Sequence, residues 1–586
     1  MPDQFRTAAP WGGEFSKEPI AATELLSGSA PGGLTWNASF FPAENAEEAS
    51  QPFAGVLQLD GATMTMLASD PNGRPDPSGF RPTRILGKET TLFPDVSLAL
   101  FTHNGHLVPT SQNVLRSGSI PGARSWWDLI VQPGRVWSEA GDLPGWNRAA
   151  FPFALVTRMD GEIHIGVALF LYNESQVSPV RFQVVQGSVT WYTHPFTAWG
   201  VTKASYRPGG IDNIEERMRA YDQELAERLP VASWSELPPE VSHDPLVKMS
   251  TSHTDADPDV FASAVVHDGV LYRTGYHTAA GAFPYSDEIR HSVWSTTKTA
   301  MANVATLRVA QKYGVAILDE PIAKYLASAR QPGWDDVTFR NLANMSSGRH
   351  RGEGDYTPGW FSFLFDYCAD AKTQKALALS PRRYDPGSEF NYSGQAVYLL
   401  GVALDAVLKS KEGPQASAWE MLEREVAQPI GIRHLPNIST IEADGSRGQP
   451  YWDMGYFPTL DDLAKLGLLY QNHGAWSGQQ ILHRDLTDSL LPTTVQPAPD
   501  RSPNPGYYLN WWIEKTGPWW LPRMMGYGRN WLTLLPGDKV AIRVGNHQDR
   551  PWPPEDFVPP GGIWPPEDYV PGWPRLDLLP PDAEFE

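Results

Sequence analysis

Cysteine is nearly absent from this chain: Cys368 is the only one among 586 residues, which excludes an intrachain disulfide framework and any metal cluster built on paired thiolates. The lone thiol is expected to be buried and inert. Histidine is present 14 times, but nowhere in a ligand spacing such as H-E-x-x-H, so no metal site and no cofactor are predicted. Long apolar runs are missing as well. No stretch reaches 18 uninterrupted apolar residues, so no membrane span is predicted. The opening MPDQFRTAAPWGGEF lacks the basic region and apolar core of an export signal, and the expectation is a soluble, cytoplasmic protein. Basic charge is in the minority, with 47 Lys and Arg against 67 Asp and Glu for a net charge of -20. Such a surface repels polyanions and removes the usual electrostatic basis for binding nucleic acid.

What is present describes a folded chain of more than one domain. Its length exceeds the roughly 250–300 residues at which a single core stops growing. Hydrophobic residues at 41% and aromatics at 11% are ordinary for a compact protein. The 51 glycines and 54 prolines follow no period and point to many turns around short strands. Residues 1–210 read as a β-rich accessory domain, with strand-like runs at 55–67, 160–174 and 180–194. Its tryptophan pair Trp126-Trp127 is expected in the core. Residues 211–250 combine a charged helical stretch with a proline-rich one, and read as a connector.

From about residue 251 the pattern changes, and a second domain is expected to run to 548. VFASAVVHDGVLYRTGYH (260–277) carries two apolar runs around Asp268-Gly269, a strong hairpin signal. HSVWSTTKTAMANVATLRVAQKYG (291–314) has helical periodicity and ends in glycine. TLDDLAKLGLLYQNHG (459–474) predicts an amphipathic helix capped by Thr459, with Asp462 three residues later and Gly474 past its end. Strands follow at 506–515 and 531–547, the latter pair turning at Pro536-Gly537-Asp538. Residues 549–586 hold a short repeat, WPPEDFVPP at 552–560 and WPPEDYVPG at 564–572; two copies are too few for a solenoid, so a proline-rich strap is expected.

Ser295-Thr296-Thr297-Lys298 opens the helix after the hairpin, and a spacing of three puts hydroxyl and ammonium on one helical face. S-x-x-K is the nucleophile motif of β-lactamases and penicillin-binding proteins. On this motif, on VTFRNLANMSSGRH (337–350) and on DPGSEFNYSGQAVYLLGVALDAVL (385–408), the stretch 255–548 resembles the serine β-lactamase-like hydrolases. The branch is that of class C β-lactamases, family VIII carboxylesterases, D-stereospecific peptidases and 6-aminohexanoate-dimer hydrolase. The resemblance implies an α+β fold, an antiparallel sheet flanked by helices with a helical subdomain, here preceded by the β-rich domain. It also implies that Tyr392 is the catalytic tyrosine.

Two positions depart from the family pattern. Gly394 stands where the family carries Asn, with Gln395 beside it as the substrate-binding candidate. The third motif, a K-T-G or H-x-G on an inner strand, falls near 524–537 without Lys or His. Gly526-Tyr527-Gly528 fits best, placing Tyr527 where the cation is usual, and a shift of one residue toward Arg529 is the alternative. The resemblance implies an oxyanion hole from the amides of Ser295 and of the residue after Gly528, Arg529.

A serine hydroxyl needs a neighbouring base, and a lysine serves when part of it is neutral. Tyr392 in reach of both would relay the proton. The expected partner is a small ester or amide; homo-oligomerisation is left open. The competing readings are a D-amino-acid peptidase or β-lactamase, an acyltransferase, and a non-catalytic sensor. Arg349, His350 and Glu353 follow the SSG segment in a loop that is either a cleft rim or a solvated surface. Trp294, Tyr507, Trp511 and Trp512 line an apolar acyl pocket or, with twice the weight, belong to the core.

Overall fold

In the computed structural model the chain is described over residues 20–545, apart from 30, 31, 34, 69–87, 119–124, 189–195, 252–259, 279, 350–362, 365, 367, 443–445 and 497–501. The proline-rich repeat, His350 and Glu353 therefore lie outside the described residues. The chain divides into two compact units. The first comprises 1–228, 254–262 and 274–292, and the second 229–253, 263–273 and 293–586.

The first unit is built on an eleven-stranded sheet. Its strand Ala54–Thr63 alternates in burial, with Leu57 and Leu59 turned inward, the period-two signature of a sheet with one covered face. Asn147–Val156 and Ile163–Tyr172 differ. They are buried at every residue and pair antiparallel in register from Asn147↔Tyr172 to Val156↔Ile163. Near-continuous apolar runs such as AAFPFALV mark strands covered on both faces. Aromatics fill the interior: Phe93 stacks on Phe182 with centroids 4.0 Å apart, and both Trp126 and Trp127 are buried, so that pair is core as expected. The helix Ile214–Glu227, placed by its sequence in the connector, packs Tyr221 against Phe101 and Val108 of this unit.

The second unit carries an eight-stranded sheet. Its order is Val231–Ser233, Val270–Arg273, Val260–His267, Lys539–Gly545, Asn530–Leu535, Trp519–Gly526, Trp511–Thr516, Tyr507–Tyr508. The hairpin forms where it was expected, with His267 opposite Val270 and both Asp268 and Gly269 at positive φ, as a type I′ turn requires. The second expected turn likewise has Gly537 and Asp538 at positive φ. The sheet brings the opening hairpin beside the last strand, so its centre joins segments more than 260 residues apart in sequence.

Helices cover this sheet. Leu460–Gln471 begins with a capping box between Thr459 and Asp462, and Gln471 Nε2 donates to the carbonyls of Leu535 (2.9 Å) and Lys539 (2.7 Å). Gly394–Glu412 is buried along most of its length, the mark of a central helix. The α+β class, with a β-rich N-terminal region, is thus the one expected. One expectation fails: Cys368 is exposed. It occupies the cap position before the helix Ala369–Ala378, where its side chain stays at the surface, and partial desolvation with the charge of Asp366 raises its thiol pKa, so the thiolate is disfavoured without burial.

Among the described residues no helix is long and apolar enough to cross a membrane. No group of three or more His, Cys, Asp or Glu among them is placed to hold a metal ion.

Candidate active site

Ser295 lies in a tight turn that becomes a helix. Trp294, just before it, has φ of 46°, a left-handed conformation that costs energy for a bulky residue and persists only where the surroundings impose it. The turn is closed by amides of Thr296, Thr297 and Lys298 donating to the carbonyls of Val293, Trp294 and Ser295 at 3.0, 2.9 and 3.0 Å. Lys298–Asn303 then winds as a wide π-type turn before the regular helix Val304–Tyr313. Such turns are often found at functional sites. Ser295 itself is half-buried, and Lys298 is buried.

The Lys298 Nζ donates to Ser295 Oγ at 2.8 Å and to the backbone carbonyl of Asp453 at 2.9 Å. It also sits over the ring of Tyr392, 5.2 Å from the centroid. Tyr392 thus comes to Lys298 ring-first: among the described residues its hydroxyl makes no hydrogen bond to Ser295 or Lys298. The ring stacks on Trp512, centroids 5.6 Å apart and planes 28° apart, and meets Tyr507 edge-on.

Segments distant in sequence position these groups. The amides flanking Tyr392 are held by Met345, Asn391 N donating to its carbonyl (2.7 Å) and Ser393 N to its sulfur (3.3 Å). Gly387 N binds the Ser346 carbonyl at 2.7 Å, so the two segments 337–350 and 385–408 are laced together. The nucleophile helix is anchored in turn: Asn303 Nδ2 and Thr299 Oγ1 donate to the carbonyls of Leu509 and Asn510 at 2.7 and 2.5 Å.

The strand Trp519–Gly526 forms the remaining wall. A Cβ at Gly526 would lie 2.0 Å from the Val293 carbonyl oxygen and 3.1 Å from the Thr296 amide, so only glycine allows this close approach. Tyr527 then packs edge-on against Trp294 at 5.2 Å, and Thr296 Oγ1 donates to the Asn530 carbonyl at 3.1 Å. Gly528 and Arg529 both have positive φ, 77° and 58°. The Arg529 carbonyl accepts from buried Arg543 at 2.5 Å. The Ser295 amide donates to no described backbone carbonyl.

Other candidates are engaged elsewhere. The Gln395 amide nitrogen donates to Ser380 Oγ at 3.0 Å inside the buried first turn of its helix. Arg349 stacks on Trp334, its guanidinium carbon 4.3 Å from a ring centroid, and donates to the Ser380 carbonyl. Trp511 and Tyr507 are buried; the Trp511 indole packs on Tyr470 at 4.9 Å. Trp512, half-buried beside Tyr392, and Trp294 beside Ser295 are the members of that aromatic set that flank the Ser295–Lys298 pair.

Two charged groups had no signal in the sequence. Asp453 is buried, its Oδ2 has no hydrogen-bond partner, and burial raises its pKa against the opposing pull of Lys298 and Lys372. Lys372 is buried too, 4.1–5.6 Å from the ring centroids of Phe363, Tyr398 and Tyr451. It donates to the carbonyls of Phe363 and Leu364 at 2.8 and 3.2 Å. Desolvation lowers its pKa to about 7. Neither stands at a fixed spacing from Ser295, so only the fold brings them near.

The sequence profile of the Beta-lactamase family matches residues 257–552, just over half of the chain and the whole described site. The chain belongs to the beta-lactamase family. This is a family of serine hydrolases, and the match takes in seven of the eight strands of the second unit's sheet, from Val260–His267 onward, whereas residues before 257 lie outside it. No curated protein matches the sequence. Among solved structures, a Bacillus anthracis protein provisionally described as a 6-aminohexanoate-dimer hydrolase is 18% identical, covering 55% of this chain and 83% of its own, with a TM-score of 0.42. A penicillin-binding protein homologue from Caulobacter crescentus is 17% identical over 53% of this chain and 92% of its own, with a TM-score of 0.37. A beta-lactamase/D-alanine carboxypeptidase from Pseudomonas syringae is 15% identical over 51% and 91%, with a TM-score of 0.35. At these identities and scores the membership rests on the family match.

Proposed function

We propose that this member of the family hydrolyses a small ester or amide through an acyl-enzyme on Ser295. The observation that carries the proposal is the 2.8 Å hydrogen bond between Lys298 Nζ and Ser295 Oγ on a half-buried hydroxyl. In the neutral form Lys298 takes the Ser295 proton as Oγ bonds to the substrate carbonyl carbon. The carbonyl electrons move to oxygen, where the Ser295 and Arg529 amides are the proposed donors. The tetrahedral intermediate then collapses, its bond to the leaving alcohol or amine breaks, and the leaving group takes a proton delivered through Lys298 and Tyr392. Water repeats the sequence on the acyl-enzyme and regenerates Ser295.

The altered second motif favours esters and open-chain amides over β-lactams. Gly394 has no side chain to hold an acyl-amide, and a Cβ there would come within 2.7 Å of Asp453 Oδ2. Short p-nitrophenyl esters test the proposal: Ser295→Ala is expected to lose turnover while remaining folded, and full turnover in that variant overturns it. Rapid acylation by a fluorescent penicillin would move the chain to the β-lactamase and peptidase side. An activated acyl probe that labels Ser295 and is never released would mark a sensor, and products formed with added alcohol would mark a transferase.

A further inference from the structure

Behind the Ser295–Lys298 pair lies a carboxylate with an open valence. Asp453 lends its backbone carbonyl to Lys298 Nζ at 2.9 Å, so the residue that carries this carboxylate is anchored directly at the amine. Its Oδ2 is buried and has no hydrogen-bond partner, an expensive condition unless its charge is used. The position is protected: the oxygen fills the space that any side chain at 394 would need, next to the start of the 19-residue helix Gly394–Glu412. The positive end of that helix favours an anion there. Lys298 and Lys372 attract the same carboxylate.

We propose that Asp453 is a positioning residue for catalysis, its carboxylate being the countercharge that stabilises the Lys298 ammonium formed when Lys298 takes the Ser295 proton. The inference rests on the proposed acyl-enzyme chemistry. It assigns to Gly394 a purpose that its departure from the family pattern leaves open: the absent side chain makes room for the carboxylate. Each proton transfer to Lys298 creates a buried cation, and a carboxylate in the same low-dielectric surroundings offsets its cost. Lys372, held by two carbonyls and three rings, pulls the carboxylate toward its charged form against the burial that raises its pKa.

Asp453→Asn preserves shape and the backbone carbonyl contact but removes the charge, so it separates electrostatics from anchoring. The measurement is the pH dependence of kcat/KM on a p-nitrophenyl ester. The acidic limb, which reports the base becoming neutral, is expected to move down by about one pH unit because an ammonium without its countercharge loses its proton sooner. The plateau is expected to fall about tenfold or more, since the weaker base stabilises the transition state less. Asp453→Ser, equally uncharged and smaller, serves where the asparagine variant does not fold. An acidic limb and plateau unchanged in either folded variant overturn the proposal. If Ser295→Ala abolishes turnover while the limb stays put, only the role of Asp453 fails; if Ser295→Ala keeps turnover, the acyl-enzyme fails first.

Discussion

Ser295 and Lys298 meet because three residues make almost one helical turn, and that part of the site is written in the chain locally. Tyr392 is different. Its ring, not its hydroxyl, faces Lys298, so the phenol's proton relay requires its oxygen to swing toward the reacting atoms when substrate arrives, a tightening common on substrate binding. Removing only the hydroxyl tests this. Tyr392→Phe keeps the stack on Trp512 and the ring under the ammonium, and is expected to lower kcat by roughly 10²-fold or more with an unchanged melting temperature. Single-turnover acylation kinetics decide it, and an undiminished rate removes the phenol from the mechanism. Lys298→Met, which keeps the length but not the base, is expected to cost roughly 10²–10⁴-fold in acylation rate. The departures at Gly394 and Tyr527 were legible as oddities in a motif, but what replaced the missing groups was not. Asp453 stands 155 positions from Lys298, and no periodicity connects them. Cys368 misled for a related reason: the buried habit of free cysteine is an average, while exposure at a helix cap is set by the neighbouring loop.

Elements with local signals formed where their residues directed. Asp268-Gly269 supplies the two positive-φ residues of a tight hairpin, and Thr459 with Asp462 closes a capping box, since both devices operate within four residues. Thr459→Ala is expected to cost about 1 kcal/mol of stability, measured by denaturant unfolding, and an unchanged midpoint would show that the helix is held by packing alone. The strand ending at Gly526 is the opposite case. Its glycine reads from the sequence only as part of the third motif on an inner strand, and the fold presses it onto the Val293 carbonyl. Gly526→Ala is expected to destabilise by about 1–3 kcal/mol, as overpacking does, and to lower acylation more than it lowers stability by displacing the turn that holds Ser295. Parent-like activity in a folded variant would contradict so close an approach.

At the level of the whole molecule, the first unit concentrates histidines that are buried and neutral. Burial lowers His164 and His291 to about 3 and, with Arg135 and Arg228, lowers His106 to about 4. Their unfolded pKa is near 6.5. Between those values the unfolded chain binds more protons, so stability is fully present above pH 6.5 and is lost as pH falls toward 3–4. Asp160 opposes this: burial raises it to about 7, so the native state gains a proton as pH falls through 7, and stability rises from that group down to its unfolded value near 4. Three histidines outweigh one carboxyl. The first unit is therefore expected to melt at lower temperature at pH 5 than at pH 7 in calorimetry, a difference diminished in His164→Leu. A melting temperature that rises on acidification would reverse the assignment.

The sequence alone determined what short-range forces decide: the alternation of strands, the hairpin turn, the capped helix, the placing of Ser295 and Lys298 on one face, and through its motifs the family. Tertiary structure decided which buried charge stands behind Lys298, which face Tyr392 turns to it, and how closely Gly526 approaches the Ser295 turn. The physical reason is range. Dihedral preference and hydrophobic period act over a few residues, whereas desolvation and Coulomb attraction depend on which distant segments the fold encloses together.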